Sequence, residues 1–369
     1  MNAGPSPRPV ESSRAVPAGS PATGATRIPD QLPERFVTVE ALDEFLSRPS
    51  TDLIADLAAV SGDIMVIGVG GKMGPTVARM AKRACPDRRV IGVARFSEAH
   101  LETYLRRHGI ETHKVDLLDR KAVTALPQAA NVIFMAGRKF GSSGDEDATW
   151  AMNAYVPAMV GEHFANSRIV AYSTICVYPF APVAHGGATE DDAIGPPGEY
   201  AMSCVGRERA LQFFSRRNHS PGMLIRLSYA IDMRYGVLHD LGTNVLRGET
   251  IDLSMGHVNV IWQGDACSQS LRALRHCTVP SQPLNVSGPE IVSIRSLALA
   301  FGRRFGKNPV FAGHENATAW IANTSRAARL FGYPTVPLDR MVEWTSDWLE
   351  RGMESLGKAT HFDVRTGIY

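Results

Sequence analysis

Asp63-Ile64-Met65-Val66-Ile67-Gly68-Val69-Gly70-Gly71-Lys72-Met73-Gly74 is the stretch from which the fold is read. Ile64 to Ile67 is a short unbroken apolar run, as in a strand buried on both faces. Glycines follow at 68, 71 and 74, and a helical pattern continues to about Ala84. Out of context, three glycines mean only a tight turn. Between a strand and a helix each has a use. The first permits the turn, the second lets backbone approach a pyrophosphate, and the third lets the helix pack close to the strand. Amide N–H groups at the helix start then attract the phosphates. Gly68, Gly71 and Gly74 are therefore expected to form a dinucleotide cradle.

Further apolar runs lie at 90–93, 113–115, 131–135, 168–172 and 223–227, most of them separated by helical segments. This alternation predicts an α/β fold, a Rossmann-type doubly wound parallel sheet, over residues 62–229. Residues 230–369 are less regular. They are expected to form mainly a smaller substrate-binding region with C-terminal helices, where Met341, Val342, Trp344, Thr345, Trp348 and Leu349 have amphipathic helical spacing. Residues 35–61 read as a helical extension, with Ser50-Thr51-Asp52 supplying N-caps. Residues 1–34 are rich in Pro, Ala, Gly and Ser and cannot bury enough surface to offset ordering entropy. They are expected to be a disordered tail, with only a faint likeness to a transit peptide in their arginines.

With 39 basic and 37 acidic residues the net charge is +2, which argues against nucleic acid or a membrane surface as partner. No apolar run approaches the roughly 18 residues of a membrane helix. The five cysteines are odd in number, scattered and never spaced as CxxC, against a disulfide scaffold or zinc site and in keeping with a reducing cytoplasm. No metal is expected. An acid ending the second strand would bind the ribose of NAD. Here that end reads Val93-Ala94-Arg95-Phe96, and Arg95 is suited to the 2′-phosphate of NADP. NADP is thus expected, with NAD the alternative. The plain reading of Arg95 is a solvated strand end.

With these residues in place, roughly residues 62–350 resemble the extended short-chain dehydrogenase/reductase superfamily, in its NAD-dependent epimerase/dehydratase branch. Several motifs occur in family order. Gly68, Gly71 and Gly74 match the GxxGxxG cradle, with Lys72 and Met73 where backbone meets pyrophosphate. Asp116 and Leu117 match a pair that touches adenine. Met135-Ala136-Gly137-Arg138-Lys139 resembles a loop along the cofactor, its lysine in contact. Asn153 falls at a helix asparagine. Ser173-Thr174-Ile175-Cys176-Val177-Tyr178 is similar to SSxxVY, putting Thr174 at the catalytic Ser/Thr position. Tyr200-Ala201-Met202-Ser203-Cys204 matches YxxSK except at its last residue. The resemblance implies an enzyme acting on a hydroxyl or ketone of a sugar, sugar acid or similar polyol, and a homodimer.

The exception matters. The catalytic pair YxxxK becomes Tyr200 and Cys204, one helical turn apart on one face. A free tyrosine titrates near about 10, and a neutral thiol supplies no charge to lower it. Three explanations stay open. A substitute cation serves, such as Arg207 two turns on, or Lys139 or Arg138. Or the chemistry needs no strongly activated tyrosine. Or the site is silent and the chain is a dinucleotide-binding sensor or scaffold. For substrate contact, Arg138, Arg226 and Tyr229 are the candidates, and Arg138, Lys139, Arg226 and Arg234 together would favour an anionic small molecule. His257 reads as a structural histidine.

Overall fold

The computed structural model describes residues 32–367 apart from 140, 142 and 143. The expected tail therefore falls almost wholly outside the described residues. Seven parallel strands form the central sheet: β1 (Ile64–Ile67), β2 (Val90–Ala94), β3 (Glu111–Lys114), β4 (Asn131–Phe134), β5 (Arg168–Thr174), β6 (Gly222–Leu227) and β7 (Gln282–Val286). Their spatial order is β7-β6-β5-β4-β1-β2-β3. Ile64 pairs with Val90 on one side and Asn131 on the other. The strand order thus reverses at β1, and the crevice between β1 and β4 is where such sheets bind ligands.

β1 and β4 are buried along their whole length, as parallel strands covered on both faces must be. One face is covered by α2 (Thr51–Ala58), α3 (Gly74–Ala84) and α8 (Gln263–Arg272). The other carries α5 (Val156–His163) and Leu211 of α6 (Glu199–Asn218). Ser50 caps α2 by accepting from the Leu53 amide. α4 (Ala99–Arg107) joins β2 to β3, α7 (Val237–Arg247) lies between β6 and β7, and α9 (Ile294–Phe305) and α10 (Leu338–Glu350) follow β7.

The sheet draws its seventh strand from 282–286, a segment that the sequence pattern left to the smaller region. Pro283 argues against an interior strand, and β7 is an edge strand, where a missing N–H does least harm. The N-terminal extension also reaches further than its pattern implied. Phe36, Leu42 and Leu46, the latter two on α1 (Val39–Leu46), enter the core of the C-terminal helices. Phe36 stacks on Trp262 at 6.0 Å and meets the edge of Trp344 at 4.8 Å.

After α10 the chain doubles back as a strap over residues 351–367. The Leu356 amide donates to the Arg234 carbonyl, and Thr360 donates twice to Asp240. Phe362 is buried in the C-terminal core. Arg365 donates to the Thr318 and Ser254 carbonyls and lies over Phe180 at 4.0 Å. Gly367 packs against Gly198, beside the start of α6.

Candidate active site

A cleft of about 1190 Å³ opens at the carboxyl ends of β1, β4 and β5. Its floor is the glycine turn. A Cβ on Gly68, whose φ is +89°, would meet the Ala136 amide nitrogen at 2.5 Å, and one on Gly74 would meet the Val69 carbonyl oxygen at 2.4 Å. Both glycines are needed for the turn itself. A Cβ on Gly71 would meet only the Gly68 carbonyl oxygen, at 3.5 Å. The space above Gly71 is therefore open to the cleft, at the start of α3, where an anion gains most from helix N–H groups. The cradle fits a dinucleotide's phosphates.

The second wall is the loop after β4. Asn153 holds it, from a single π-helical turn at Ala151–Tyr155. Its side chain is fully buried and makes four hydrogen bonds. It accepts from the Arg138 amide at 2.8 Å and from Arg207 Nη2 at 2.7 Å, and it donates to the Arg138 carbonyl at 2.8 Å and to Ser203 Oγ at 2.9 Å. Gly137 is glycine for a local reason: a Cβ would lie 2.5 Å from Arg207 Nη2. The Lys139 ammonium donates to the Thr360 carbonyl of the strap at 3.1 Å, and burial lowers its pKa.

Thr174 ends β5 in the cleft, its hydroxyl accepting from the Cys176 amide at 3.1 Å. Tyr200 faces the same space from the first turn of α6. Its phenol hydrogen-bonds the Cys204 thiol, and burial with the neighbouring thiols Cys204 and Cys176 raises its pKa well above the ordinary value. Arg207 opposes that shift. The Arg207 side chain is buried beneath the site, with Nη1 donating to the Tyr172 carbonyl at 2.7 Å. Among the described residues no carboxylate pairs with it. Burial also raises the Cys204 pKa, so the thiol stays neutral near pH 7.

Several expected contacts are placed elsewhere. Arg226 does not line the cleft. Its guanidinium is buried in a bidentate pair with Glu208, at 3.0 and 2.7 Å, and also donates to Tyr178 Oη. It supports the site from behind, through Ser173, which donates to Glu208 at 2.6 Å. Leu117 is buried in the core and the Asp116 carboxylate accepts from the Leu118 amide, so neither lines the cleft. Arg138 lines it but pairs with Asp145. Arg234 pairs with Asp232 and Asp43. Three of the four cations expected to draw an anionic substrate are thus neutralised by local carboxylates. Tyr229 and Arg95 do line the cleft, and Arg95 is exposed.

The pattern also missed two contributors. α1 adds Asp43 to the cleft wall and the strap adds Leu356, Lys358 and Thr360. Both come from segments with no site motif, so only the long-range packing reveals them.

The sequence model of the NAD dependent epimerase/dehydratase family matches residues 64–233. That segment, a little under half of the chain, is similar to this family. The family is one of NAD-dependent enzymes. Among curated proteins no sequence matches the chain. Solved structures with this fold include the UDP-glucuronic acid 4-epimerase of Bacillus cereus, in complex with UDP-glucuronic acid and NAD. It is 18% identical, has a TM-score of 0.65, and covers 78% of this chain and 99% of its own. The UDP-glucose 4-epimerase of Thermotoga maritima, with UDP-glucose, is 18% identical at a TM-score of 0.66, over 79% and 99% of the two chains. The dTDP-glucose 4,6-dehydratase of Bacillus anthracis, in complex with NAD, is 15% identical at 0.66, over 79% and 97%. Nearly whole neighbours thus account for about four-fifths of this chain, and a fifth is additional. No helix among the described residues is long and apolar enough to cross a membrane.

Proposed function

We propose that the chain is an NAD(P)-dependent oxidoreductase of the epimerase/dehydratase kind, acting on a hydroxyl or ketone of a sugar, sugar acid or similar polyol. Arg207 takes the electrostatic part that the missing lysine would play. The observation that carries this reading is a buried guanidinium with no carboxylate partner among the described residues, whose charge acts on Tyr200.

When bound along Gly68 to Gly74, the dinucleotide supplies or accepts the hydride. The residues of the chain do the rest. Met135, Gly137 and Lys139 form the wall along the nicotinamide end, with Asn153 fixing the loop's shape. Thr174 and Tyr200 converge on the reacting oxygen. Because burial keeps the Tyr200 phenol protonated near neutrality, it acts most readily as an acid, handing its proton to a developing alkoxide. In the reverse direction the phenolate must form. Arg207 then offsets part of the cost, as a nearby opposite charge favours the ionised form. The Tyr200 pKa is raised, so ketone reduction should change little from pH 6 to 9, while hydroxyl oxidation should climb with pH. Arg95 favours NADP, and NAD remains the alternative.

Arg207→Met should lower oxidation of a responsive hydroxyl, found by following nicotinamide absorbance with aldoses, aldonates and polyols, by about 10²-fold or more. The dissociation constant for the dinucleotide should stay within a few-fold, and Arg207→Lys should recover part of the rate. An Arg207→Met protein as fast as the parent would end this assignment. The hydrogen bond from Tyr200 to Cys204 favours a second reading, a catalytically silent dinucleotide sensor or scaffold. Tight dinucleotide binding without turnover of any such substrate, unchanged in Cys204→Lys, would point to it.

A further inference from the structure

Lys72 stands in the middle of the cradle, and its side chain crosses the cleft. Its ammonium donates to the Ala230 carbonyl at 2.9 Å and sits 4.1 Å above the centre of the Tyr235 ring. An ammonium has three N–H donors, and a carbonyl and a ring face leave it short of a counter-charge. Among the described residues no carboxylate pairs with it. The charged groups packed around it are already engaged. Asp232 holds Arg234 through both oxygens, at 3.1 and 2.7 Å, and Asp240 of α7 accepts twice from Thr360. Cys267 of α8 and Tyr235 complete the surroundings. Burial raises the pKa of both, that of Tyr235 to about 12, so they stay neutral up to about pH 9.5. A cation with spare donors therefore faces an open space next to a phosphate cradle.

We propose that the Lys72 side chain is the counter-ion of the dinucleotide's pyrophosphate, so that its protonation sets how tightly the cofactor is held. This inference rests on the dinucleotide-binding reading given above. It goes beyond it by giving the lysine side chain, and not only the cradle's backbone, a role in binding.

Burial brings the Lys72 pKa down to about 8, against the opposing pull of the Asp232 and Asp240 carboxylates. An anion bound beside it favours the charged form and raises that value again. The direction follows from linkage. Affinity is full below the free-state pKa, where the ammonium is already charged. It falls as pH rises from there to the bound-state pKa, because binding must then take up a proton.

The test uses the full chain and calorimetric titration with NADP, NAD, ADP-ribose and adenosine from pH 6.5 to 9.5, in two buffers of different ionisation enthalpy. With the three pyrophosphate ligands the dissociation constant should be flat to about pH 7.5. Above pH 8 its rise should approach tenfold per pH unit, with uptake of about half a proton at pH 8. Adenosine should show neither effect. Lys72→Gln should bind the pyrophosphate ligands about tenfold or more weakly at pH 7, with no pH dependence and no proton uptake. Lys72→Arg should keep the affinity and lose the pH dependence, since arginine stays charged throughout. A lysine that merely pinned the Ala230 carbonyl would alter thermal stability but move no proton on binding. Binding at pH 7 with no proton uptake at pH 8 would overturn the Lys72 assignment and leave the cradle standing. No binding of any dinucleotide at pH 7 would instead remove the cradle reading itself.

Discussion

At the scale of single residues, the glycines of the cradle were legible because their constraint is local. Gly68 has a left-handed φ and a Cβ there would meet the Ala136 nitrogen at 2.5 Å, while a Cβ on Gly74 would meet a backbone carbonyl. Arg207 was only partly legible. Its spacing from Tyr200 made it a candidate, but the bonds that hold it beneath the site come from Asn153 and from a β5 carbonyl. No spacing rule brings those together. Arg226 misled for the complementary reason. An arginine at a strand end reads as available, whereas Glu208, 18 positions before it, takes its Nε and Nη2, and Tyr178 takes its Nη1. Arg95 is the residue to test at this scale. Exposed at the cleft edge, it has little to lose structurally. Arg95→Glu should lower the NADP-over-NAD preference by about tenfold or more, read as a ratio of dissociation constants from fluorescence titration. An unchanged ratio would remove Arg95 from cofactor selection.

At the scale of elements, the alternation of apolar runs foretold six of the seven sheet strands. β7 escaped because its proline and asparagine look wrong for a strand, and they are tolerated only by an edge position and by buried partners. Asn285 accepts from Tyr178 Oη at 2.9 Å and donates to the Ala188 carbonyl at 2.8 Å. The π-helical turn carrying Asn153 was equally hidden, since one extra residue per turn leaves no mark on periodicity. The Glu208–Arg226 pair fastens α6 to β6 across the back of the sheet. Removing one partner strands a buried charge, which costs about 3–5 kcal/mol. Arg226→Met should therefore lower unfolding free energy by about that amount in urea, while the folded fraction keeps its dinucleotide affinity. A loss under about 1 kcal/mol would mean that Glu208 finds another partner or takes up a proton.

For the whole molecule, the sheet and its cradle follow from residues close together in the chain, but the site's outer wall does not. α1 and the strap come from opposite ends of the described residues and meet the same cleft. Arg365 anchors the strap through two carbonyls and the Phe180 ring. Arg365→Ala should raise protease cleavage within 354–367. It should also raise KM for the responsive substrate several-fold, with the dinucleotide dissociation constant nearly unchanged. Cleavage no faster than in the parent would show the anchor to be redundant.

Lys139 and Thr360 touch across 221 positions of sequence. A growing polypeptide that has already emerged with its glycine turn and its Tyr200 helix still lacks one side of the cleft. That side arrives only once translation has passed residue 360. Until then that wall is missing, so the cleft cannot take its full shape before residue 360 has been made.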